Sequence, residues 1–257
     1  MKQIFALLTI LSVIASPAFA KKNVNGVEVL TEIRELADPA HSAVIVIDMQ
    51  NEIVSTQGGY NRPERSAPAD PSKHAVIPRF KEQVEHMRLL LQAARESGVP
   101  VIYAQYIHRD QSGRMIVNGP ECWTHYREPW VSCAVAGTWE AETIQELAPQ
   151  AGEITIKKGR GDAFYNTYLE DLLREKGVTH LILTGTAGGG CVFATAMGAM
   201  ERGYYPVYVS DCVDQPQFIQ PTIKGRFPIY RSDEILTVWP SARGKIASQS
   251  AVPKRLP

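Results

Sequence analysis

The run Ala43-Val-Ile-Val-Ile-Asp48 constrains this chain more than any other stretch of it. An unbroken apolar series, mostly β-branched and closed by an acid, fits a strand buried on both faces, as in a parallel sheet. Such a strand needs parallel neighbours beside it and helices above and below. The chain supplies both. Phe80, Val84, Met87, Leu91 and Ala94 recur at helical spacing, and Gly98 follows as a stop. Residues 100–106 read as the next strand, 107–137 as an irregular excursion, 141–147 as a short helix and 153–157 as a strand. The rhythm then tightens. Residues 166–176 predict a helix with Tyr168, Leu169, Leu172 and Leu173 on one face; 180–184 a strand; 191–202 a helix closed by Gly203; and 206–211 a strand. A last apolar run at 235–239 is expected to add a sixth strand. This alternation predicts an α/β fold: a three-layer α/β/α sandwich around a central, mostly parallel six-stranded sheet of Rossmann-like topology.

The ends of the chain read differently. Lys2, an apolar stretch from Ile4 to Ile14 and the Ala18-Phe19-Ala20 site followed by Lys21 form the pattern of a cleaved secretory signal. The expected organisation is a signal peptide at 1–20, a single domain at 21–242 and a loose polar tail at 243–257. The product is expected to be periplasmic or secreted. Charge is balanced, 27 basic against 27 acidic residues, which argues against a nucleic-acid or anionic-membrane binder. After signal cleavage no membrane partner is expected, and a homo-oligomer is allowed. Four cysteines are too few for a disulfide scaffold, and no C-x-x-C or H-E-x-x-H occurs. Cys122 and Cys133 fit either a bridge in an oxidising compartment or two free thiols. Cys212 reads as a buried packing residue.

Ligands of open parallel sheets bind beyond the carboxyl ends of the strands. Here those ends carry Asp48, Lys158 and the segment Gly185-Thr-Ala-Gly-Gly-Gly-Cys191. An acid, an amine and a thiol therefore meet on one edge. At the start of a helix the N–H groups and the dipole are expected to lower the pKa of Cys191. The same N–H groups suit an oxyanion. A second reading takes Gly185, Gly188 and Gly190, with Asp211 at the end of the next strand, as a dinucleotide-binding loop.

Three stretches, AVIVIDMQNEI, the segment from GTWEAETIQEL through KKGRGDAFYN to LILTGTAGGGCV, and ATAMGAMERGYYPVYVSDCV, resemble the isochorismatase-like cysteine hydrolases, in order and over residues 43 to 214. The resemblance implies a catalytic Asp48, a catalytic Lys158 set by its spacing from the Ala163-Phe164 pair, and a nucleophilic Cys191 before Val192. It also implies a non-proline cis peptide between Thr186 and Ala187, which turns the Ala187 N–H toward an oxyanion beside that of Cys191. Gln50, Phe164 and Gln215 are the candidate substrate-binding residues, with Asn51 beside them. Trp123, Trp130 and Trp139 are read as packing residues of the excursion rather than as pocket walls. Two departures stand out. Gly188-Gly189 replaces the Thr-Asn of many members, so a roomier loop is expected. No D-x-H pair accompanies His108, so no metal and no cofactor is expected. The function this implies is an exported cysteine amidohydrolase, cleaving a C–N bond of a small amide, ureido or carbamoyl compound through a thioester. The alternatives are an isochorismatase-type or catalytically silent binding relative, and the dinucleotide module.

Overall fold

The computed structural model describes residues 22–62, 68–112, 114, 116, 134–214 and 225–239. The expected signal segment, Cys122, Cys133, Trp123, Trp130, Gln215 and the tail lie outside these residues. The chain divides into two units, the first ending at Thr31. In that first unit β1 (Lys22–Val24) and β2 (Val27–Val29) pair antiparallel across Asn25 and Gly26, both at positive φ. This is the backbone that a two-residue hairpin requires.

The second unit begins at Glu32 and holds the α/β body. After α1 (Ile33–Leu36) comes β3 (Ser42–Ile47), in which every residue is buried. The sheet is completed by β4 (Val101–Tyr106), β5 (Ile154–Lys158), β6 (His180–Gly185), β7 (Tyr205–Val213) and β8 (Ile229–Tyr230). Their order is β5-β4-β3-β6-β7-β8, and all pairs are parallel. The chain thus runs outward from β3 to one edge and returns to the centre for β6. Side chains alternate across the sheet. Ala43, Ile45 and Ile47 pack on one face with Leu169, Leu172, Leu173, Val192 and Ala196, which belong to α4 (Leu169–Glu175) and α5 (Cys191–Glu201). Between β3 and β4 lie α2 (Asn51–Val54) and α3 (Lys81–Glu96); α3 packs against β4 and β7 and buries Val84, Met87, Leu90 and Leu91. The helices between β3 and β6 and the apolar strand runs leave the polar residues of the sheet at its two ends.

Three expectations are corrected. Residues 235–239 are not a strand. Ser232–Leu236 form α6, and the sixth strand is β8 instead. Ile235, Leu236 and Trp239 are buried at a spacing that one helical face also satisfies. The Glu234 carboxylate accepts the Arg231 N–H at 2.8 Å, and the Trp239 indole N–H donates to Ala37 O at 2.9 Å. The expected helix at 141–147 is two short 3₁₀ turns, Trp139–Ala141 and Gln145–Leu147. The chain between them is extended because it bonds elsewhere: Asn51 N donates to Glu142 O and Ile144 N to Met49 O, both at 2.9 Å. The helix expected from 166 begins only at Leu169. Asn166 sits at positive φ, and Tyr168 is exposed rather than on the buried face.

Candidate active site

Strand register brings the chemistry together. Lys158 pairs with Tyr106 across β5 and β4, and Ile47 pairs with Ala104 on one side and Gly185 on the other. Asp48, the next residue after β3, is at φ 52°, a left-handed conformation that Asp tolerates better than most residues. Asp48, Tyr106, Lys158 and the loop after Gly185 therefore share the carboxyl edge of the sheet. A cavity of about 740 Å³ opens there, its wall including Asp48, Gln50, Tyr106, Thr186, Ala187 and Cys191.

Alternation along β5 separates the two lysines. Lys157 is exposed and Lys158 is buried. Lys158 Nζ donates to Asp48 Oδ2 at 2.9 Å and to Arg160 O at 3.1 Å, and lies 4.4 Å from the centroid of the Tyr106 ring. The two charged side chains are 0% and 3% exposed. Such a pair needs complete hydrogen bonding to offset its desolvation. Asp48 Oδ1, however, is buried with no hydrogen-bond partner among the described residues. Burial holds the Asp48 carboxyl above the usual range, against the lowering effect of Lys158 and of the Cys191 thiol.

Cys191 opens α5 as expected, but its thiol does not behave as the helix start alone implies. Burial pushes it up to about 12, the Asp48 charge adds to the rise, and Lys158 opposes it. Desolvation and the Asp48 charge thus work against the lowering expected from the helix start and from Lys158.

The Thr186–Ala187 peptide is cis, as the resemblance implies. Ala187 O accepts from Gly190 N at 2.9 Å and Val192 N at 3.2 Å. The N–H groups of Ala187 and Cys191 have no backbone partner among the described residues. Glycine serves close packing at Gly185 and Gly188. A Cβ on Gly188 would collide with the Asp214 carbonyl oxygen and lie 2.8 Å from Val213 Cγ1. The loop is thus tight at Gly188 rather than roomier. Gly188 N donates to Asp214 Oδ1 at 2.8 Å, which puts a carboxylate where a dinucleotide loop would hold phosphate. The dinucleotide reading fails on that charge.

Other candidates fall differently. Gln50 is on the cavity wall, but its amide is committed: Nε2 donates to Tyr106 O and Ala141 O, each at 3.0 Å, and Oε1 accepts from Tyr106 N at 2.8 Å. It ties β4 to the 139–141 turn instead of presenting a free amide. Asn51 Nδ2 is similarly held by Trp139 O at 2.8 Å. Phe164 is not on the cavity wall. It lies in the core, 5.7 Å from the Tyr204 ring centroid and beneath the Arg202 guanidinium. Its motif position is accounted for by packing beside Ala163. His108 lines the cavity, with its ring 4.4 Å from that of Tyr106. Among the described residues no group of three His, Cys, Asp or Glu side chains is arranged for a metal ion. Sequence reasoning missed Tyr106 and Asp214. Both stand at strand ends on the reactive edge, and that position was the available signal.

A sheet of this order, with an acid, a lysine and a thiol at its carboxyl edge, defines a cysteine hydrolase fold of the isochorismatase type. The Isochorismatase domain model matches residues 42–218. Ureidoacrylate amidohydrolase RutB of Serratia proteamaculans (strain 568) is 33% identical over 193 residues, spanning 71% of this chain and 74% of that protein. Among solved structures, a cysteine hydrolase from Pseudomonas syringae pv. phaseolicola 1448A superposes with a TM-score of 0.63 at 25% identity, covering 79% of this chain and 94% of that one. N-carbamoylsarcosine amidase from Thermoplasma acidophilum gives 0.57 at 26%, covering 75% and 97%. The chain belongs to the isochorismatase family, among its hydrolases of carbon–nitrogen bonds other than peptide bonds.

Proposed function

We propose that this chain is an exported amidohydrolase that cleaves the C–N bond of a small ureido or carbamoyl compound, with Cys191 as nucleophile and Asp48 and Lys158 as its partners. One observation carries the proposal: in a buried site Lys158 holds one oxygen of the Asp48 carboxylate, while Oδ1 has no hydrogen-bond partner within bonding geometry among the described residues and the Cys191 thiol acts on the same carboxylate. A carboxylate so arranged is a base with a free acceptor, and burial raises its proton affinity. The Cys191 S–H proton passes to Asp48 as sulfur attacks the carbonyl carbon, so the thiolate exists only during attack. The oxyanion is received by the N–H groups of Ala187 and Cys191. Collapse breaks the C–N bond, the leaving nitrogen takes the proton from Asp48, and a thioester remains. Asp48 then draws a proton from water as hydroxide adds to the thioester; the C–S bond breaks, the acid product leaves, and Asp48 returns the proton to sulfur. The ammonium of Lys158 keeps Asp48 oriented and offsets negative charge on sulfur. The substrate class rests on relatives named for ureido and N-carbamoyl compounds. Export rests on the composition of residues 1–20.

Ammonia release from a panel of ureido acids, N-carbamoyl amino acids and biuret tests the activity. Cys191→Ala is expected to lower turnover at least about 10⁴-fold, while calorimetry still detects binding of the same compound. A variant that kept the wild-type rate would refute Cys191 as nucleophile.

A further inference from the structure

Asp214, the residue after β7, touches the loop after β6 from three directions. Its Oδ2 accepts the Thr186 hydroxyl at 2.8 Å, its Oδ1 accepts the Gly188 N–H at 2.8 Å, and its own N–H donates to Gly185 O at 3.3 Å. The three contacts straddle Ala187. The same Gly185 carbonyl is held from the other side by Gln83, whose Nε2 donates to it at 3.0 Å and to Cys212 O at 3.1 Å. Thr186 N is fixed to Ile47 O at 3.0 Å. Among residues 186–188, only the N–H of Ala187 lacks a partner among the described residues, and Ala187 lines the cavity. Gly188 has no Cβ, and any Cβ there would strike the Asp214 backbone. Glycine at 188 and aspartate at 214 are therefore two halves of one contact.

We propose that Asp214 is a positioning residue: its carboxylate clamps Thr186 and Gly188 so that the N–H of Ala187 is held toward the cavity as an oxyanion donor. The clamp rests on the reading of Cys191 as an acyl-transfer nucleophile. It does not require Asp214 to exchange a proton or to touch the substrate. It also gives the glycine at 188 a physical role, because the close approach of Asp214 needs a residue without a side chain there.

Two reagents separate this role from mere support of the fold. Acylation of Cys191 by p-nitrophenyl acetate builds an oxyanion, whereas alkylation by iodoacetamide displaces iodide at a saturated carbon and builds none. Asp214→Ala is expected to slow the p-nitrophenol burst about 100-fold or more, the usual loss for one oxyanion donor, with alkylation changed less than about threefold. Asp214→Asn keeps the geometry, since its oxygen still accepts from Gly188 and its amide donates to the Thr186 oxygen; it should acylate within about tenfold of wild type. Thr186→Val removes one arm of the clamp with little change of shape and should fall between the two. Acylation by Asp214→Ala within threefold of wild type, an equal loss in both reactions, or Asp214→Asn as slow as Asp214→Ala would each overturn the clamp. A wild-type protein that alkylates at Cys191 but gives no burst would instead remove the acyl-transfer reading, and the clamp with it.

Discussion

Two ion pairs sit at opposite ends of β5, and they are built to opposite standards. At the amino end, Arg95 meets Glu153 with two parallel bonds of 2.7 and 3.0 Å; Tyr103 and the Gln150 N–H complete the cluster. Every oxygen of that carboxylate is occupied, and the side chains remain 22% and 12% exposed. At the carboxyl end, the Asp48–Lys158 pair is sealed from solvent and joined by a single bond, with one carboxylate oxygen unpartnered among the described residues. A forked arginine saturates its partner; a lysine is a point charge that leaves acceptor capacity over. The first pair closes the sheet. The second stores the proton acceptor that a thiol needs, at a cost in desolvation.

That contrast is broken most directly by neutralising each pair. Lys158→Met leaves an acid buried without its counter-charge and is expected to cost about 3–5 kcal/mol of stability, together with at least about a 10⁴-fold loss of turnover. Asp48→Asn/Lys158→Met removes both charges, and Asn accepts the left-handed backbone at position 48. Urea unfolding should show the double variant recovering most of the lost stability, while activity stays absent. Arg95→Met at the other end should cost only about 1–2 kcal/mol and leave turnover within about twofold. A double variant no more stable than Lys158→Met, or an Arg95→Met enzyme that loses activity, would erase the distinction between the two ends.

Much of this was legible in the chain. The apolar run of β3 marks a strand buried on both faces, and alternation along β5 assigns burial to Lys158 over Lys157 once the strand's end is known. Local pattern failed where distant partners decide. The 139–147 stretch would continue as a helix if residues 49–51 did not bond its carbonyl and N–H groups. A five-residue apolar run at 235–239 satisfies a strand or one helical face equally, and capping by Glu234 selects the helix. For Cys191 the helix start, which lowers a thiol pKa, is local and legible, whereas the burial that raises it comes from distant elements. Asp214 was overlooked because β7 runs to Val213, two residues past its expected end at Asp211.

The smallest effect expected lies at the amino end of the sheet, on His180 at the start of β6. It is 5% exposed and its Nδ1 has no hydrogen-bond partner among the described residues. The His41 ring stands 6.2 Å away, with Asp38 bonded to His41 at 2.9 Å. Burial lowers the pKa of His180, and the neighbouring His41 lowers it further; Asp38 and Glu35 oppose both. The folded protein thus prefers the neutral ring more than the unfolded chain does. Its contribution to stability is complete above the unfolded value, about 6.5, and is lost as the pH falls from there through the lower folded value. Replacing His180 with Gln removes the titrating group. Its unfolding free energy, measured by urea titration at pH 7.5 and pH 5, should fall less between the two than that of the wild type. Turnover at pH 7.5 should be unaltered, because this end of β6 holds no reacting group. An acid sensitivity identical to that of the wild type would show that the buried ring is not what makes the amino end of the sheet pH-dependent.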